Sequence, residues 1–192
     1  MNSIRAICVF CASSNSVDQV FKDTADDLGR KIGKLGIELV YGGATIGLMG
    51  SVARGVHATG GKVVGVIPEF MKSKEIEYIE ADELIVTQDM RKRKAIMDDR
   101  ADAFIALPGG VGTLEELMEI LSMKQLKLNP KPLVVLNTQR FYDKWVALIQ
   151  EMVALKFTKA SIEDLFFLAE DPQSALDYIL QYERPFEESK WL

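Results

Sequence analysis

Cysteine and histidine are nearly absent from this chain: 192 residues hold two cysteines and one histidine. A disulfide framework and a histidine-rich metal site are therefore excluded as organising principles. Cys8 and Cys11 form a C-x-x-C, but no second cysteine pair accompanies it, and on a strand the two side chains point to opposite faces. The expectation is two reduced thiols packed near a sheet. Basic excess is also missing. With a net charge of −5 and a pI near 5.1, the chain lacks the general electrostatic footprint that nucleic-acid binding requires, so no nucleic-acid partner is expected and any anion must be held locally. No apolar run approaches the ~20 residues of a membrane span, so no membrane partner is expected. Met1-Asn2-Ser3-Ile4-Arg5 has none of the layout of a secretory signal, and a cytoplasmic location is expected by default. Internal repeats and low-complexity linkers are lacking too.

What is present is the composition of an ordinary folded domain, 48% hydrophobic and 27% charged, at a length that buries a substantial core. Short β-branched runs alternate with longer helical patterns. The expected strands are 6–10, 37–41, 62–67, 83–87, 103–107 and 133–136. The expected helices are 17–34, 48–59, 90–100, 114–126, 141–155 and 172–181. Continuous hydrophobic strands separated by helices predict a doubly wound parallel sheet covered on both faces, an α/β sandwich. Residues 1–182 read as one domain and 183–192 as a tail carrying Pro185, Phe186 and Trp191. The stretch from Pro68 to Ala81 reads as a surface loop.

Ligands of such sheets bind beyond the carboxyl ends of the strands, where two segments are rich in glycine. They are Tyr41-Gly42-Gly43-Ala44-Thr45-Ile46-Gly47-Leu48-Met49-Gly50 and Leu107-Pro108-Gly109-Gly110-Val111-Gly112-Thr113. Each precedes a helix, so each suits a phosphate cradle built from backbone N–H groups; tight turning alone would also account for the glycines. Neither has the dinucleotide fingerprint or the G-K-[ST] of a P-loop. On the helix from Met90, Arg93 falls within a stripe of Met90, Ile96 and Met97, while Arg91 points away. A core-facing guanidinium needs a carboxylate or a phosphate as partner, unless its stem packs and its head snorkels to water. Thr113 to Glu116 has the spacing of a capping box, which leaves room for Glu116 also to face a ligand and for Glu115 to face solvent.

Pro108-Gly109-Gly110-Val111-Gly112-Thr113-Leu114-Glu115-Glu116, together with Asp89 to Lys94, the loop from Tyr41 to Gly50 and Val9 to Ser14, resembles the LONELY GUY family of cytokinin-activating phosphoribohydrolases. The resemblance runs to about Leu155. It implies a Rossmann-like homodimer that, without cofactor or metal, cleaves nucleoside 5'-monophosphates, including AMP and its N6-isopentenyl derivatives, to base and ribose 5-phosphate. Carried over by position, Arg93 and Glu116 form the catalytic pair. Lys94, Gly109, Gly110, Val111, Gly112 and Thr113 line the nucleotide site with Gly43 and Ser13, and Glu75 and Ser122 are further substrate contacts. Arg91, where members often have His, and Ser122, where they often have Thr, depart from the pattern and bear on base preference. The alternative is a nucleotide-binding or carrier module without catalysis. Lysine decarboxylation, a label often attached to such sequences, is disfavoured, because no Schiff-base lysine with an acidic partner for a pyridoxal ring is identifiable.

Overall fold

The computed structural model describes residues 4–72 and 76–183. Seven strands form one parallel sheet: β1 (Ala6–Phe10), β2 (Glu38–Tyr41), β3 (Val63–Pro68), β4 (Glu83–Thr87), β5 (Ala103–Ala106), β6 (Leu133–Leu136) and β7 (Phe167–Ala169). Helices α1 (Gln19–Lys34), α2 (Gly47–His57), α3 (Glu69–Lys72), α4 (Met90–Arg100), α5 (Val111–Gln125), α6 (Asp143–Ala154) and α7 (Pro172–Gln181) fill the connections. Strand order is β4-β3-β2-β1-β5-β6-β7. The chain winds outward from β1 to one edge, then restarts at β5 on the other side of β1. Crossovers leave in opposite directions from β1 and β5, which opens a crevice above their carboxyl ends.

Alternation along β1 divides the core into its two layers. Ile7 and Val9 join Leu28, Val52 and Leu176 on the face covered by α1, α2 and α7. Cys8 and Phe10 join Met97, Leu117 and Ile149 on the face covered by α4, α5 and α6. Cys11, just past the strand, belongs to the first layer, so the two thiols do lie on opposite faces, free and buried. Burial pushes both thiol pKa values up, which keeps them protonated and inert.

The six expected strands and six expected helices are all present, with ends displaced by at most three residues. Three departures have physical causes. β7 and the 3-10 helix Ala160–Leu165 were not anticipated; three and six residues are too short to express a period. The helix after the second glycine loop starts at Val111 rather than Leu114, because glycine at position 112 is tolerated in the first turn. The stretch from Pro68 to Ala81 is only partly a loop: it contains α3, and Glu77 bridges to Ala44 while Thr45 N donates to Ile76 O and Tyr78 N to Gly43 O. The tail residues Pro185, Phe186 and Trp191 lie outside the described residues.

α2, which leads out of the first glycine loop, is positioned by a backbone-to-backbone crossing with α1. A Cβ built on Gly29 would stand 2.2 Å from Val52 O, and one on Gly55 2.4 Å from Asp26 O. Gly29→Ala is expected to force the two helices apart and lower stability by about 1–3 kcal/mol, the usual cost of overpacking. Urea denaturation checks this: the midpoint falls while the slope is unchanged.

Candidate active site

Arg93 and Glu116 come together from different helices. α4 is fixed at its start by Asp89, whose side chain accepts from Lys92 N at 2.8 Å. One turn in, Arg93 is 4% exposed; its Nε donates to Val66 O of β3 at 2.9 Å and its Nη1 to Glu116 Oε1 at 2.6 Å. Glu116, in the second turn of α5, is 7% exposed. Room for the guanidinium comes from Gly42: a Cβ there would lie 2.6 Å from Arg93 Nη2. The arginine expected to need a partner has a carboxylate and does not snorkel. The stripe it shares is narrower than expected, since Met90 is exposed while Met97 is buried.

The capping box does not form. Gly110 is the N-cap of α5, no side chain caps it, and Thr113 is the third helical residue, packed by its side chain against Gly109. Freed from capping, the Glu116 carboxyl turns inward to Arg93. Burial raises its pKa, and the adjacent guanidinium opposes that rise. Glu115 is exposed, as expected, but it also pairs with Lys94, whose Nζ lies 2.9 Å from Glu119 Oε2. Lys94 is thus held across the α4–α5 interface by two carboxylates of α5.

The two glycine loops differ in what their amides do. At the start of α2 the amides are occupied: Asn15 Oδ1 accepts from Gly47 N at 2.8 Å, and Ala12 O accepts from Leu48 N at 3.0 Å. At the start of α5 the first helical bond runs from Leu114 N to Gly110 O, and among the described residues nothing accepts from the amides of Val111, Gly112 and Thr113. Three convergent N–H groups at a helix N-terminus form an anion cradle. No acidic residue stands in that first turn. A Cβ on Gly110 or Gly112 would meet nothing within 4 Å, so the fold itself does not require glycine there; close approach by a ligand would.

A cleft of about 510 Å³ opens between α4 and α5, with Phe10, Ile120 and Met123 in its lining, Arg91 and Lys94 beside them, and Glu116 in the wall. On the other side of the glycine loop, a smaller apolar recess of about 280 Å³ is lined by Ala12, Phe21, Leu48, Gly109, Gly110 and Phe141. The cradle borders the apolar recess through Gly110, and Glu116, one turn further along α5, borders the cleft. Ser13 is exposed next to Ala12, whose amide donates to Pro108 O at 3.2 Å, so it stands next to the cradle. Gly43 has a different place: at φ +78° it packs against Val66 and Ile67 and its carbonyl holds the Tyr78 amide. Ser122 is exposed six residues beyond Glu116, ~9 Å further along α5, and is not brought to the pair. Glu75 lies outside the described residues. Asn15, which caps α2, and Tyr142, whose hydroxyl donates to Leu107 O at 2.8 Å just before the cradle, were not anticipated. Neither had a local signal, since Asn15 is 32 residues from Gly47 and Tyr142 35 residues from Leu107.

A family model described as "Possible lysine decarboxylase" matches residues 49–179. The chain is 39% identical over 191 residues to a probable cytokinin riboside 5'-monophosphate phosphoribohydrolase of Oryza sativa subsp. japonica, covering 97% of this chain and 78% of that protein. It is 39% identical over 178 residues to a cytokinin riboside 5'-monophosphate phosphoribohydrolase of Arabidopsis thaliana, covering 93% of this chain and 78% of the relative. Among solved structures, the molybdenum cofactor binding protein of Rippkaea orientalis is similar with a TM-score of 0.70 at 23% identity, covering 93% of this chain and 97% of that one. The molybdenum cofactor carrier protein of Chlamydomonas reinhardtii gives the same TM-score and identity over 92% and 96%. At that identity they share the Rossmann-like fold, whereas near-full-length likeness to the rice and Arabidopsis proteins shows the family: the chain belongs to the LOG family of phosphoribohydrolases.

Proposed function

We propose that the protein hydrolyses the N-glycosidic bond of an adenine-type nucleoside 5'-monophosphate, a cytokinin riboside 5'-monophosphate or AMP, to free base and ribose 5-phosphate. The observation that carries this is the juxtaposition of the amides of Val111 to Thr113, which have no acceptor among the described residues, with buried Glu116 in the second turn of the same helix, paired to Arg93 of α4. A 5'-phosphate on the cradle holds the ribose near Glu116, so binding of a group that does not react positions the one that does.

Cleavage places positive charge on the ribose ring as the C1′–N bond lengthens. An ionised Glu116 stabilises that charge and orients a water. The water oxygen bonds to C1′, the electron pair of the broken bond leaves with the base, and the base takes up a proton. Arg93 keeps Glu116 in place and favours its ionised form against the effect of burial. Lys94 and Arg91 border the cleft and Ser13 the cradle, which makes them substrate contacts in this reading; Glu75 and Ser122 are carried by the resemblance alone. So is the homodimer, while the cytoplasmic location is a default expectation.

Lysine decarboxylation has no support in these residues. The one buried lysine among the described residues, Lys124, donates to Lys131 O and lies under the Tyr182 ring at the far end of α5, away from the cradle. Burial lowers its pKa to about 8, but no acidic partner accompanies it.

Incubation with AMP, N6-isopentenyl-AMP and adenosine, following free base and ribose 5-phosphate, tests the reading. The two monophosphates are expected to react and adenosine not, with Glu116→Ala and Arg93→Ala each reducing turnover by ~10²-fold or more. Tight AMP binding without base release would instead favour the carrier alternative. Because burial raises the Glu116 pKa, kcat/KM should fall on acidification at a pH above the ordinary carboxylate range, and this limb should vanish from the residual activity of Glu116→Gln. In thermal or urea unfolding, removing either partner alone should cost about 3–5 kcal/mol, while Arg93→Met with Glu116→Leu should recover most of that loss. Gly112→Ala should separate folding from binding: an alanine in the first helical turn gains about 0.5–1 kcal/mol of stability, yet its methyl obstructs the cradle and raises KM for AMP.

A further inference from the structure

The chain's only histidine stands at the end of α2 with both ring nitrogens engaged. His57 Nε2 lies 3.0 Å from Asp82 Oδ2, and Nδ1 lies 2.9 Å from the Tyr78 hydroxyl. Both partners belong to one strap, residues 76–82, which passes over the first glycine loop and leads into β4. Main-chain bonds join strap and loop: Thr45 N donates to Ile76 O and Tyr78 N to Gly43 O, each at 2.8 Å. Gly42, next in that loop, is the residue whose missing side chain makes room for Arg93. The histidine therefore holds the strap, the strap holds the loop, and the loop shapes the place of the guanidinium that pairs with Glu116. Closure is opposed by Glu77 Oε2, which is buried in the strap without a hydrogen-bond partner and would be served by water if the strap lifted.

Proton counting at His57 shows what holds the strap against that bias. A carboxylate only accepts, so Nε2 carries a hydrogen in either charge state of the ring. Val63 N and the imidazole hold the Asp82 carboxyl below the usual range, so it stays ionised wherever histidines titrate. The charge state is thus decided at Nδ1. Without a proton, Nδ1 must accept from Tyr78 and commits the single hydroxyl hydrogen. With one, Nδ1 donates to the hydroxyl oxygen and frees that hydrogen for the neighbouring Glu80. Burial and Glu80 push the Tyr78 pKa up to about 12, so the phenol keeps its own proton. A protonated ring therefore completes a chain from Asp82 through His57 and Tyr78 to Glu80, one hydrogen bond more than the neutral ring allows. The other charges around it are engaged. Arg54, one turn earlier on α2, donates to Thr45 O, Arg30 of α1 is paired with Asp26, and Lys62 ahead of β3 is paired with Glu38.

We propose that His57 is a proton-operated clasp, whose protonation fastens strap 76–82 onto the first glycine loop and so fixes the positions of Arg93 and Glu116. The extra tie is present at low pH and lost as the pH rises through the imidazole's titration. The acid limb expected from Glu116 runs in the opposite sense. The effect of the clasp on turnover rests on the hydrolytic reading above; its effect on the strap does not.

Two readouts on the full chain separate these. With a single histidine, the ring C–H signals in NMR spectra follow His57 alone, while hydrogen exchange reads the Thr45 and Tyr78 amides. Protection of both amides, relative to unstructured chain, is expected to fall by roughly fivefold as the imidazole loses its proton, the effect of about one hydrogen bond. His57→Arg, a permanent double donor, should keep protection high and His57→Gln keep it low, each independent of pH. The ring is partly exposed, so both longer side chains are accommodated. Tyr78→Phe should lower protection and abolish its pH dependence while His57 still titrates. In the parent, kcat for AMP should fall by a similar factor over the same range, with KM unchanged because the phosphate sits on the other loop. Both His57 variants should lack this alkaline limb. Protection that ignores the imidazole's titration, or that falls alike in the parent and His57→Arg, would overturn the clasp. A kcat indifferent to a strap that does respond would overturn its link to Arg93. Protection that follows the imidazole in a chain releasing no base would uphold the clasp and overturn the hydrolytic reading instead.

Discussion

The Arg93–Glu116 ion pair is the constraint around which the upper half of this molecule is arranged. Both charges are almost wholly removed from water, and a buried charge is tolerated only when paired and hydrogen-bonded. The arginine meets this requirement with Val66 O on one side and Glu116 on the other, so β3, α4 and α5 are bound to a common point. Gly42 is part of the same arrangement, because any side chain there would occupy the guanidinium's space. Removing a buried pair in favour of apolar groups commonly stabilises a fold, so packing alone does not explain its presence. A poorly solvated carboxylate near the open amides of α5 is the functional use that the proposed reaction would make of it.

The glycine loops divide the remaining work. One is closed by Asn15 and Ala12 and by the segment ending in Tyr78, and it shapes the floor under Arg93. The other is left open, with its helix uncapped and two glycines facing empty space. A helix N-terminus without a side-chain cap forgoes stability that a serine or aspartate at position 110 would supply. Asp89 and Asp171 cap α4 and α7, whereas the N-caps of α1, α5 and α6 accept nothing; what sets α5 apart is that the glycines beside its open amides leave room for a ligand.

The sequence by itself determined the layers, the strands long enough to show a period, the opposed cysteines, the glycine loop that precedes α5, and an arginine in need of a partner. These follow from local patterns: hydrophobic period, glycine before a helix, and a charge on an apolar stripe. It misjudged Thr113 to Glu116, where spacing matched a capping box, because spacing cannot reveal that Arg93, 23 residues away, competes for the same carboxylate. It treated the two glycine loops alike, because occupancy of their amides depends on Asn15, 32 residues before Gly47. It passed over β7, too short to show periodicity. Tertiary structure alone decided which loop remains open to an anion, which carboxylate Arg93 takes, and which helix ends are left uncovered. Hydrogen-bond partners and burial are properties of chain segments brought together from a distance, and local pattern carries no record of them.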